Sequence, residues 1–590
     1  ISNHDNKRLY FAANKLFRSD DQGNTWKTIS PDLTRQLDRN KFEVMGEVQS
    51  PDVVMKNQST SIFGNITALD ESPKNENLLY VGTDDGLIQI TKDGGSTWSK
   101  KDNFPGIPAM TYVNQIVASK HDENVVFAIF NNHKNGDFKP YILKSTNKGD
   151  SWVSITGDLP QRGTVYCLAQ DHVNADLMFA GTEFGCYFTL NGGVNWIQLK
   201  SGLPTIAIKD MAIQARENDL VLASFGRGFY ILDDYSPLRN LNSENLNKTG
   251  FVFPVRTALE YIESSPLGLT GRSSQGSGFY LADNPPFGAT FTYYIKDVPQ
   301  SPKSIRQAEE KKKKEAGENI EYPTYEEFVA EDNYEDAFLL FIIKDAQGNE
   351  VNRIKTGASS GINRVTWNLR YPTTTPTELH KSQPGRYSYP DEGPLVLPGK
   401  YSVEIHLSTN GVLAKVADPV TFDVKALENS SLARQSDEVL AFKKELSELR
   451  RSFRGTAAEF EELKNSLNYI KTAIQNYPGA DLSLLNEVNA LEDLIEKTHI
   501  QMWGNYHKSG REMETGPSTG DRIEGIVGQC WYSTSNVTNT QKEQYEIAKE
   551  EYAGLRKNVD DLKARIEALE IKLNAAGVPY TPARSDWKTE

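Results

Sequence analysis

Acidic and basic side chains occur beside glycine in three short segments of the N-terminal half of the chain. Asp84 and Asp85 directly precede a glycine, Glu183 lies two residues before one, and Arg227 lies between two. Asp210 begins a strand-like segment nearby in sequence. Two carboxyl groups can hydrolyse a glycosidic bond when they are about 5–5.5 Å apart for retention or about 6.5–9.5 Å apart for inversion. An Asp or Glu beside Gly more often serves the turn itself, so both interpretations stay open.

Hydrolysis also requires an acid whose pKa is raised by burial, opposite a carboxylate that stays ionised. Asp84 and Asp85 adjoin glycine in a turn that we expect water to reach, which disfavours a raised pKa. Glu183 precedes Phe184 and is the better candidate for an acid, whereas Arg227 suits a site that holds a carboxylate such as a peptide C-terminus. We therefore predict no catalytic residue, and a ligand-binding set of Asp84, Asp85, Glu183, Asp210 and Arg227.

Other chemistries find no support in the residue spacing. The eight histidines are scattered without paired spacing, and the sequence contains no Gly-x-Ser-x-Gly elbow, no phosphate-binding glycine loop and no Cys/His zinc pattern. We expect no cofactor and no metal. The chain has three cysteines, and Cys167 and Cys186 fall on strands that we expect not to be neighbours, so free buried thiols are favoured over a disulfide.

The elements that must position these residues belong to a repeat, whose clearest part is a turn that occurs four times. Its skeleton is a hydroxyl residue, x, Asp or Asn, x, Gly, x, a small polar residue and Trp. The copies run over residues 19–26, 91–98, 145–152 and 189–196. The Asp or Asn oxygen can accept backbone N–H bonds, the Gly can take a positive φ, and the Trp can bury a large ring between neighbouring sheets.

Three short strand-like segments precede the second, third and fourth turns, and a fifth unit repeats them without the turn. The intervals from Trp98 to Trp152 and from Trp152 to Trp196 are 54 and 44 residues, which suits one four-stranded blade each. The longer interval from Trp26 to Trp98 contains an insertion at about 28–60. The pattern predicts a β-propeller, with the residues singled out above on one rim near its central channel. Because so few units are present, we expect either a ring completed by chain upstream of Ile1, which we favour, or a smaller ring closed by a late strand.

The repeated turn resembles the Asp-box, or BNR repeat, of sialidases, sortilin-type receptors and xyloglucanase-type hydrolases. In those families the box is a structural turn away from the active face. The sialidase Arg-Ile-Pro motif and arginine triad have no counterpart in this sequence. Residues 61–66, residues 226–234 and a Pro-Gly-x-Tyr strand extend the resemblance to the C-terminal part of large bacterial secreted proteins. In these a sortilin-like propeller precedes a β-sandwich and a helical tail.

The rest of the chain divides into two further regions. Residues 251–427 carry short alternating strands broken by Gly, Pro and Asn, which indicates an immunoglobulin-like sandwich. A polar insertion at 300–336 should form a solvated, mobile loop. Residues 428–590 carry apolar seams over 439–474, 484–502 and 545–573, which predict an antiparallel helical bundle. An intermolecular coiled coil is the less favoured alternative. We expect a Thr540–Glu543 capping box, and a broken segment at 503–535 crossing one end of the bundle.

We thus predict three domains: propeller blades over 1–250, the sandwich over 251–427 and the bundle over 428–590. The net charge of −14 argues against nucleic acid or an anionic membrane surface as the main partner. We expect a secreted, cell-surface or periplasmic bacterial protein without a membrane span. Its expected role is to hold a peptide, protein or possibly glycan segment in the propeller. A glycoside hydrolase and a structural component of a surface assembly, bound through its helices, are the alternatives.

Overall fold

A computed structural model describes residues 1–56, 63–263, 282–379, 391–428 and 435–582, so residues 61 and 62 of the motif noted above lie outside it. The chain divides into two compact units, Ile1–Asn245 and Leu246–Glu590, here called the sheet unit and the mixed unit. The further division into three domains stays a prediction. Among the described residues, no helix is both long and apolar enough to cross a bilayer.

The described residues of the sheet unit form five successive antiparallel sheets, together with a small hairpin. The first sheet contains β1 (Leu9–Ala12), β2 (Leu16–Ser19) and β3 (Lys27–Thr28), and the hairpin contains β4 (Glu43–Val44) and β5 (Glu47–Val48). The second contains β6 (Ile66–Glu71), β7 (Leu79–Thr83), β8 (Ile88–Thr91) and β9 (Ser99–Lys101). The third contains β10 (Tyr112–Ala118), β11 (Val126–Asn131), β12 (Tyr141–Ser145) and β13 (Val153–Ser154). The fourth contains β14 (Val165–Gln170), β15 (Met178–Thr182), β16 (Gly185–Thr189) and β17 (Ile197–Leu199), and the fifth contains β18 (Ile208–Gln214), β19 (Asp219–Ser224) and β20 (Phe229–Leu232).

Each sheet packs on the next through an apolar core, because both faces of the central strands carry large side chains. Val81 and Leu16 belong to the core between the first and second sheets, and Ile88 and Ala128 to the core between the second and third. The later junctions are built in the same way. Among the described residues, no such cluster joins the fifth sheet to the first. The expected series of antiparallel sheets is therefore present, and its completion into a propeller stays a prediction.

The four repeated turns share one hydrogen-bond pattern. In the second copy the Thr91 hydroxyl accepts from the Gly95 N–H at 2.9 Å, and the Asp93 carboxylate accepts from the Thr97 N–H at 2.9 Å. The equivalent bonds recur in the other three copies at 2.8–3.0 Å. A Cβ on Gly95 would lie 2.4 Å from the Ile29 carbonyl oxygen, so glycine is required where the turn meets the preceding sheet.

The tryptophans that end these turns are not equally buried, contrary to the sequence expectation. Trp152 and Trp196 are 8% and 7% exposed, whereas Trp26 is 44% exposed. The Trp98 and Trp196 indoles donate at 3.2 Å to carbonyls of the preceding sheet's outer end, at Ile29 and Ile155. The Trp26 indole donates to the Gly23 carbonyl of its own turn at 3.0 Å. The ring of Trp26 stays exposed because no other sheet of the described residues packs against it.

The mixed unit begins with two sheets that share one core. The smaller contains β21 (Gly250–Val252), β23 (Ala289–Ile295) and β26 (Gly361–Trp367). The larger contains β22 (Ala258–Glu260), β24 (Phe338–Asp345), β25 (Glu350–Gly357), β27 (Gly399–Thr409), β28 (Val412–Lys415) and β29 (Val420–Ala426). A short helix, α1 (Ser243–Asn247), precedes them. Aromatic rings from both sheets meet in the core, with Phe291 against Phe341 and Trp367 against Tyr401.

The polar insertion is not a loop, which corrects the sequence prediction. It forms two helices, α2 (Pro302–Ala316) and α3 (Tyr325–Asp332), neither of which buries a residue. The Arg306 guanidinium donates to both oxygens of Glu331 at 2.7 and 2.8 Å and so joins them. Ser301 and Thr324 cap the two helices through their side chains. The run of four lysines at 311–314 therefore lies on a solvated helix, because local capping and the ion pair stabilise a helix without a buried face.

The C-terminal helices pack together within the mixed unit, as their apolar seams predicted. They are α4 (Asp437–Asn476), α5 (Leu484–Trp503), the single turn α6 (Tyr506–Ser509), α7 (Thr519–Trp531) and α8 (Asn539–Ala575). The expectation that 503–535 only crosses the end of the bundle was wrong, because α7 buries Ile523, Ile526 and Trp531 in the bundle core. The predicted cap also shifts, since the capping box of α8 is Thr538 with Gln541 rather than Thr540 with Glu543.

Buried polar groups join the two-sheet core to the bundle. The Lys443 ammonium on α4, 1% exposed, donates to Gln435 and to the Ser533 carbonyl. Gln435 in turn donates to the Leu395 carbonyl at 3.0 Å. Near this site Glu260 of β22 is 4% exposed, and its Oε1 atom has no hydrogen-bond partner among the described residues. Burial raises the pKa of Glu260 to about 7, and burial lowers the pKa of Lys443 to about 8.

We expect the mixed unit to lose stability as the pH rises through neutrality. Because the pKa of Glu260 is higher in the folded state, its favourable contribution is complete below about pH 4.5 and is lost as the pH rises through about 7. The shift corresponds to about 3 kcal/mol. Calorimetric melting at about pH 5 and about pH 8 tests this, with Glu260→Gln as the variant that should abolish most of the difference. An unchanged pH dependence in that variant would contradict the assignment to Glu260.

Candidate functional site

Four of the five residues singled out in the sequence, all except Asp210, lie at the turns between the second and third strands of three sheets. These are here called the rim turns (residues 84–87, 183–184 and 225–228). In each, the first turn residue donates its N–H to the residue preceding the sheet's first strand. These bonds run from Asp84 to Asn65, from Glu183 to Thr164 and from Phe225 to Ala207, at 2.9–3.0 Å. The position equivalent to Asp84 and Glu183 in the fifth sheet is therefore Phe225, and Arg227 lies two residues further along.

Asp85 is a structural residue, and the expectation that water reaches it was wrong. It is 0% exposed. The Thr83 hydroxyl donates to its Oδ1 at 2.5 Å, and the Arg35 backbone N–H donates to its Oδ2 at 2.7 Å. The Arg35 guanidinium also donates to the Asp85 carbonyl at 2.8 Å. Because these bonds hold the long insertion against the second sheet, the Asp85 carboxylate is not available to a ligand.

Asp84 is half-buried and also holds its own sheet. Its Oδ1 accepts from the backbone N–H groups of Gly64 and Asn65 at 3.1 and 2.8 Å. Burial raises the pKa of Asp84, and the bonds from Asn65 and Gly64 oppose that rise. The expectation that its setting disfavours a raised pKa was therefore also wrong. The carboxylate is oriented towards the entry of β6.

Glu183 belongs to a group of side chains that spans the fourth and fifth sheets, here called the Lys209 cluster (Tyr166, Glu183, Lys209 and Phe225). The Tyr166 hydroxyl donates to Glu183 Oε2, and the Lys209 ammonium lies 3.8 Å from the same oxygen. Lys209 also lies over two rings, 3.3 Å from the centroid of Tyr166 and 5.4 Å from that of Phe225. Burial lowers the pKa of Lys209 and raises that of Tyr166. The cluster thus places a cation within cation–π distance of two aromatic rings.

The remaining two candidates lie beside this cluster and are open to solvent. Asp210, next to Lys209 in β18, is exposed, and its Oδ1 accepts from the Met211 N–H at 2.8 Å. Arg227 is exposed and forms no hydrogen bond or ion pair with the described part of the chain. The neighbouring ring of Phe225 is 71% exposed, and Phe184 on the adjacent rim turn is 48% exposed. Exposed aromatic rings beside a free guanidinium are suited to binding an extended chain that carries an anionic group.

The structure brings Glu183 close to the fifth sheet but leaves Asp84 and Asp85 on the second, with the third sheet between them in chain order. Within the described residues, no group of three or more His, Cys, Asp or Glu side chains is arranged to hold a metal ion. Cys167 and Cys186 are free and buried, as predicted, and Cys530 is free and buried as well.

Sequence reasoning missed Tyr166, Lys209 and Phe225. The first two lie on innermost strands, where the repeat suggested only apolar side chains facing the cores. A signal was present for Lys209, because it directly precedes Asp210 and so adds a second charged residue to an otherwise apolar strand. Phe225 would have been found by aligning the rim turns residue by residue, because it occupies the position in the fifth sheet that Glu183 occupies in the fourth.

No protein-family model matches the chain. No curated protein matches it either. Among solved structures, the GH74 enzyme of Niastella koreensis is 14% identical over 40% of this chain and 35% of its own, with a TM-score of 0.29. An ancestral GH74 enzyme is 15% identical over 70% of this chain and 43% of its own, with a TM-score of 0.30. The extracellular domain of the putative hybrid two-component system BT3049 from B. thetaiotaomicron is 9% identical over 72% and 43%, with a TM-score of 0.28. This chain thus spans less than half of each of these structures, and likeness at this level assigns no family.

Proposed function

We propose that this chain is a binding protein of the bacterial cell surface or periplasm that holds a peptide or protein segment at its rim turns. In this proposal the four repeated turns are Asp-boxes of a sortilin-like propeller, residues 251–427 are an immunoglobulin-like sandwich, and the helices are a scaffold. The observation that carries the proposal is that some rim side chains are hydrogen-bonded within the protein whereas others are open to solvent. The carboxylates of Asp84 and Asp85 are used by their own sheet, whereas Arg227 and Phe225 project into solvent.

The alternative, a glycoside hydrolase, needs two carboxyl groups on opposite sides of one bond. Glu183 is the candidate acid, but the nearest charged group that contacts it is the ammonium of Lys209. The Tyr166 hydroxyl already donates to the same carboxylate. These contacts favour binding over hydrolysis.

We expect peptides with a free C-terminal carboxylate to bind at Arg227. A library of such peptides and the same peptides with amidated C-termini are the probes, measured by competition or calorimetry. A charge-assisted hydrogen bond contributes about 1.5–3 kcal/mol, so Arg227→Ala should weaken the carboxylate peptides about 10- to 100-fold. Arg216→Ala is the matched control, because Arg216 is an 81% exposed arginine elsewhere on the fifth sheet. Equal binding of amidated and free peptides would contradict the role of Arg227.

The hydrolase alternative is tested separately with a panel of polysaccharides and sialosides. We expect no turnover by the wild-type protein. Turnover that disappears in Glu183→Gln would overturn the binding proposal, whereas turnover unaffected by that substitution would indicate a contaminating enzyme. Because Glu183 is 43% exposed at its side chain, the variant should fold normally.

A further inference from the structure

Three buried polar side chains lie close together in the interior of the mixed unit, where the two-sheet core joins the bundle. They are an amine on Lys443 of α4, a carboxamide on Gln435 just before α4, and a carboxyl group on Glu260 of β22. Their exposures are 1%, 5% and 4%. Polar groups buried to this extent normally all have partners, so one that lacks a partner requires an explanation. We call these three residues the buried amine site.

The Lys443 nitrogen is held against the carbonyl group of Gln435. It donates to Gln435 Oε1, and it also donates to the Ser533 carbonyl at 2.8 Å. The Gln435 nitrogen donates in turn to the Leu395 and Val396 carbonyls at 3.0 and 3.3 Å, which fixes the carboxamide in place. A nitrogen hydrogen-bonded to a carbonyl oxygen lies about 3–3.5 Å from the carbonyl carbon, which is the separation of reacting atoms in a near-attack arrangement. The amine is therefore positioned to add to the carboxamide.

An amine attacks a carbonyl carbon only in its neutral form, and burial favours that form at Lys443. Desolvation lowers the pKa of this side chain to about 8. The Arg370 guanidinium adds to that effect, whereas Cys530 and Glu260 oppose it. About half of the Lys443 side chains are thus neutral near pH 8, whereas a lysine of ordinary pKa is almost fully charged there.

Glu260 provides a carboxyl group beside this amine. Its Oε1 atom is buried and has no hydrogen-bond partner among the residues that the structure describes. Burial raises the pKa of Glu260 to about 7, and Lys443 is close enough to oppose that rise. A carboxyl group with such a pKa exchanges its proton near neutrality. It can accept the proton that an attacking nitrogen loses and return it to a leaving nitrogen.

We propose that Lys443 and Gln435 form an intramolecular amide bond in the folded chain, with Glu260 as the group that carries the proton. The Lys443 Nζ atom bonds to the Gln435 Cδ atom, the bond from Cδ to Nε2 breaks, and Nε2 leaves as ammonia. One proton of the neutral amine passes through Glu260 to the leaving nitrogen, so the reaction needs no oxidant, reductant or co-reactant. The bond fixes the side chain that contacts the 395–396 carbonyls to α4. The proposal is independent of the function assigned to the rim turns.

Intact-mass spectrometry of the purified folded chain, kept near pH 8, tests the proposal. We expect a mass below the sequence mass by one ammonia. A glutamate-specific protease cleaves after Glu438, which lies between Gln435 and Lys443 in the sequence. The denatured, digested chain should therefore give one branched product that contains both residues. A chain that keeps its full sequence mass, or that gives two separate peptides, would overturn the proposal.

Lys443→Met and Gln435→Met should each keep their full sequence mass, because each removes one end of the bond. Lys444→Met is the matched control, since Lys444 is the adjacent, exposed lysine, and the loss of ammonia should persist in it. Glu260→Gln should form the bond at least about 100-fold more slowly after refolding, because it removes the proton carrier. Circular dichroism checks that each variant folds, and the wild-type mass is decisive even if one does not. Loss of ammonia that persists in Lys443→Met would overturn the proposal, and an unchanged rate in Glu260→Gln would overturn the role of Glu260.

Discussion

Replacing Trp152 with alanine is expected to lower the free energy of unfolding of the sheet unit by about 3–5 kcal/mol, as for other buried aromatic residues. The ring is 8% exposed and lies in the core between the second and third sheets. It packs edge-on against Phe104, with centroids 6.1 Å apart. Removing it leaves a cavity at a closely packed junction, where a Cβ built on Gly149 would lie 2.4 Å from the Cδ1 atom of Ile90. Urea unfolding or thermal melting measures the loss.

Trp26→Ala is the matched control, because it occupies the same position of the same turn in a different environment. Its ring is 44% exposed, so we expect a loss below about 2 kcal/mol. Comparable losses in the two variants would show that the turn, rather than the packing between sheets, determines the contribution of the tryptophan. Wild-type stability with lost ligand binding in Trp152→Ala would contradict the structural role altogether.

Replacing Arg239 with alanine is the second change from which we expect a large effect, about 3–5 kcal/mol. Arg239 follows the fifth sheet and donates to both oxygens of Asp171 on the fourth, at 2.9 and 2.7 Å. The Tyr235 hydroxyl donates to the same carboxylate at 2.6 Å. Asp171 is 0% exposed, so the variant would leave a buried charge without its cation. Arg216→Ala removes only an exposed pair with Glu217 and should change stability by less than about 0.5 kcal/mol.

The same pair makes the sheet unit sensitive to acid. Burial alone would raise the pKa of Asp171, but the bonds from Arg239 and Tyr235 outweigh it and lower the pKa to about 2. Because this pKa is lower in the folded state, the contribution is complete above about pH 4 and is lost as the pH falls through about 2. The shift corresponds to about 2 kcal/mol. In thermal melts between those pH values, Asp171→Asn should reduce the loss of stability that the wild-type protein shows on acidification. An unchanged loss in the variant would mean that other carboxylates cause it.

Patterns that repeat along the chain were readable without coordinates. The order of three strands and a turn predicted the sheets, because alternation and glycine spacing act locally and recur in every unit. The heptad seams predicted α4, α5 and α8 for the same reason. The short helix α7 was missed, because its 13 residues include three glycines and its burial depends on the helices around it. The helical insertion was missed because the ion pair between Arg306 and Glu331 that joins its two helices spans 25 residues.

In the candidate site, too, some features could be read from the sequence and others only from the structure. The sequence by itself determined which turns carry charge and that Asp85 and Glu183 lie at related places in the repeat. Only the tertiary structure decided that Asp85 accepts a hydrogen bond from Arg35 of the insertion and that Lys209 lies over the rings of Tyr166 and Phe225. Those outcomes depend on contacts between residues tens of positions apart or on different sheets. Local spacing specifies where a side chain leaves the backbone, whereas packing between sheets determines what it meets, what its pKa becomes and whether a ligand can reach it.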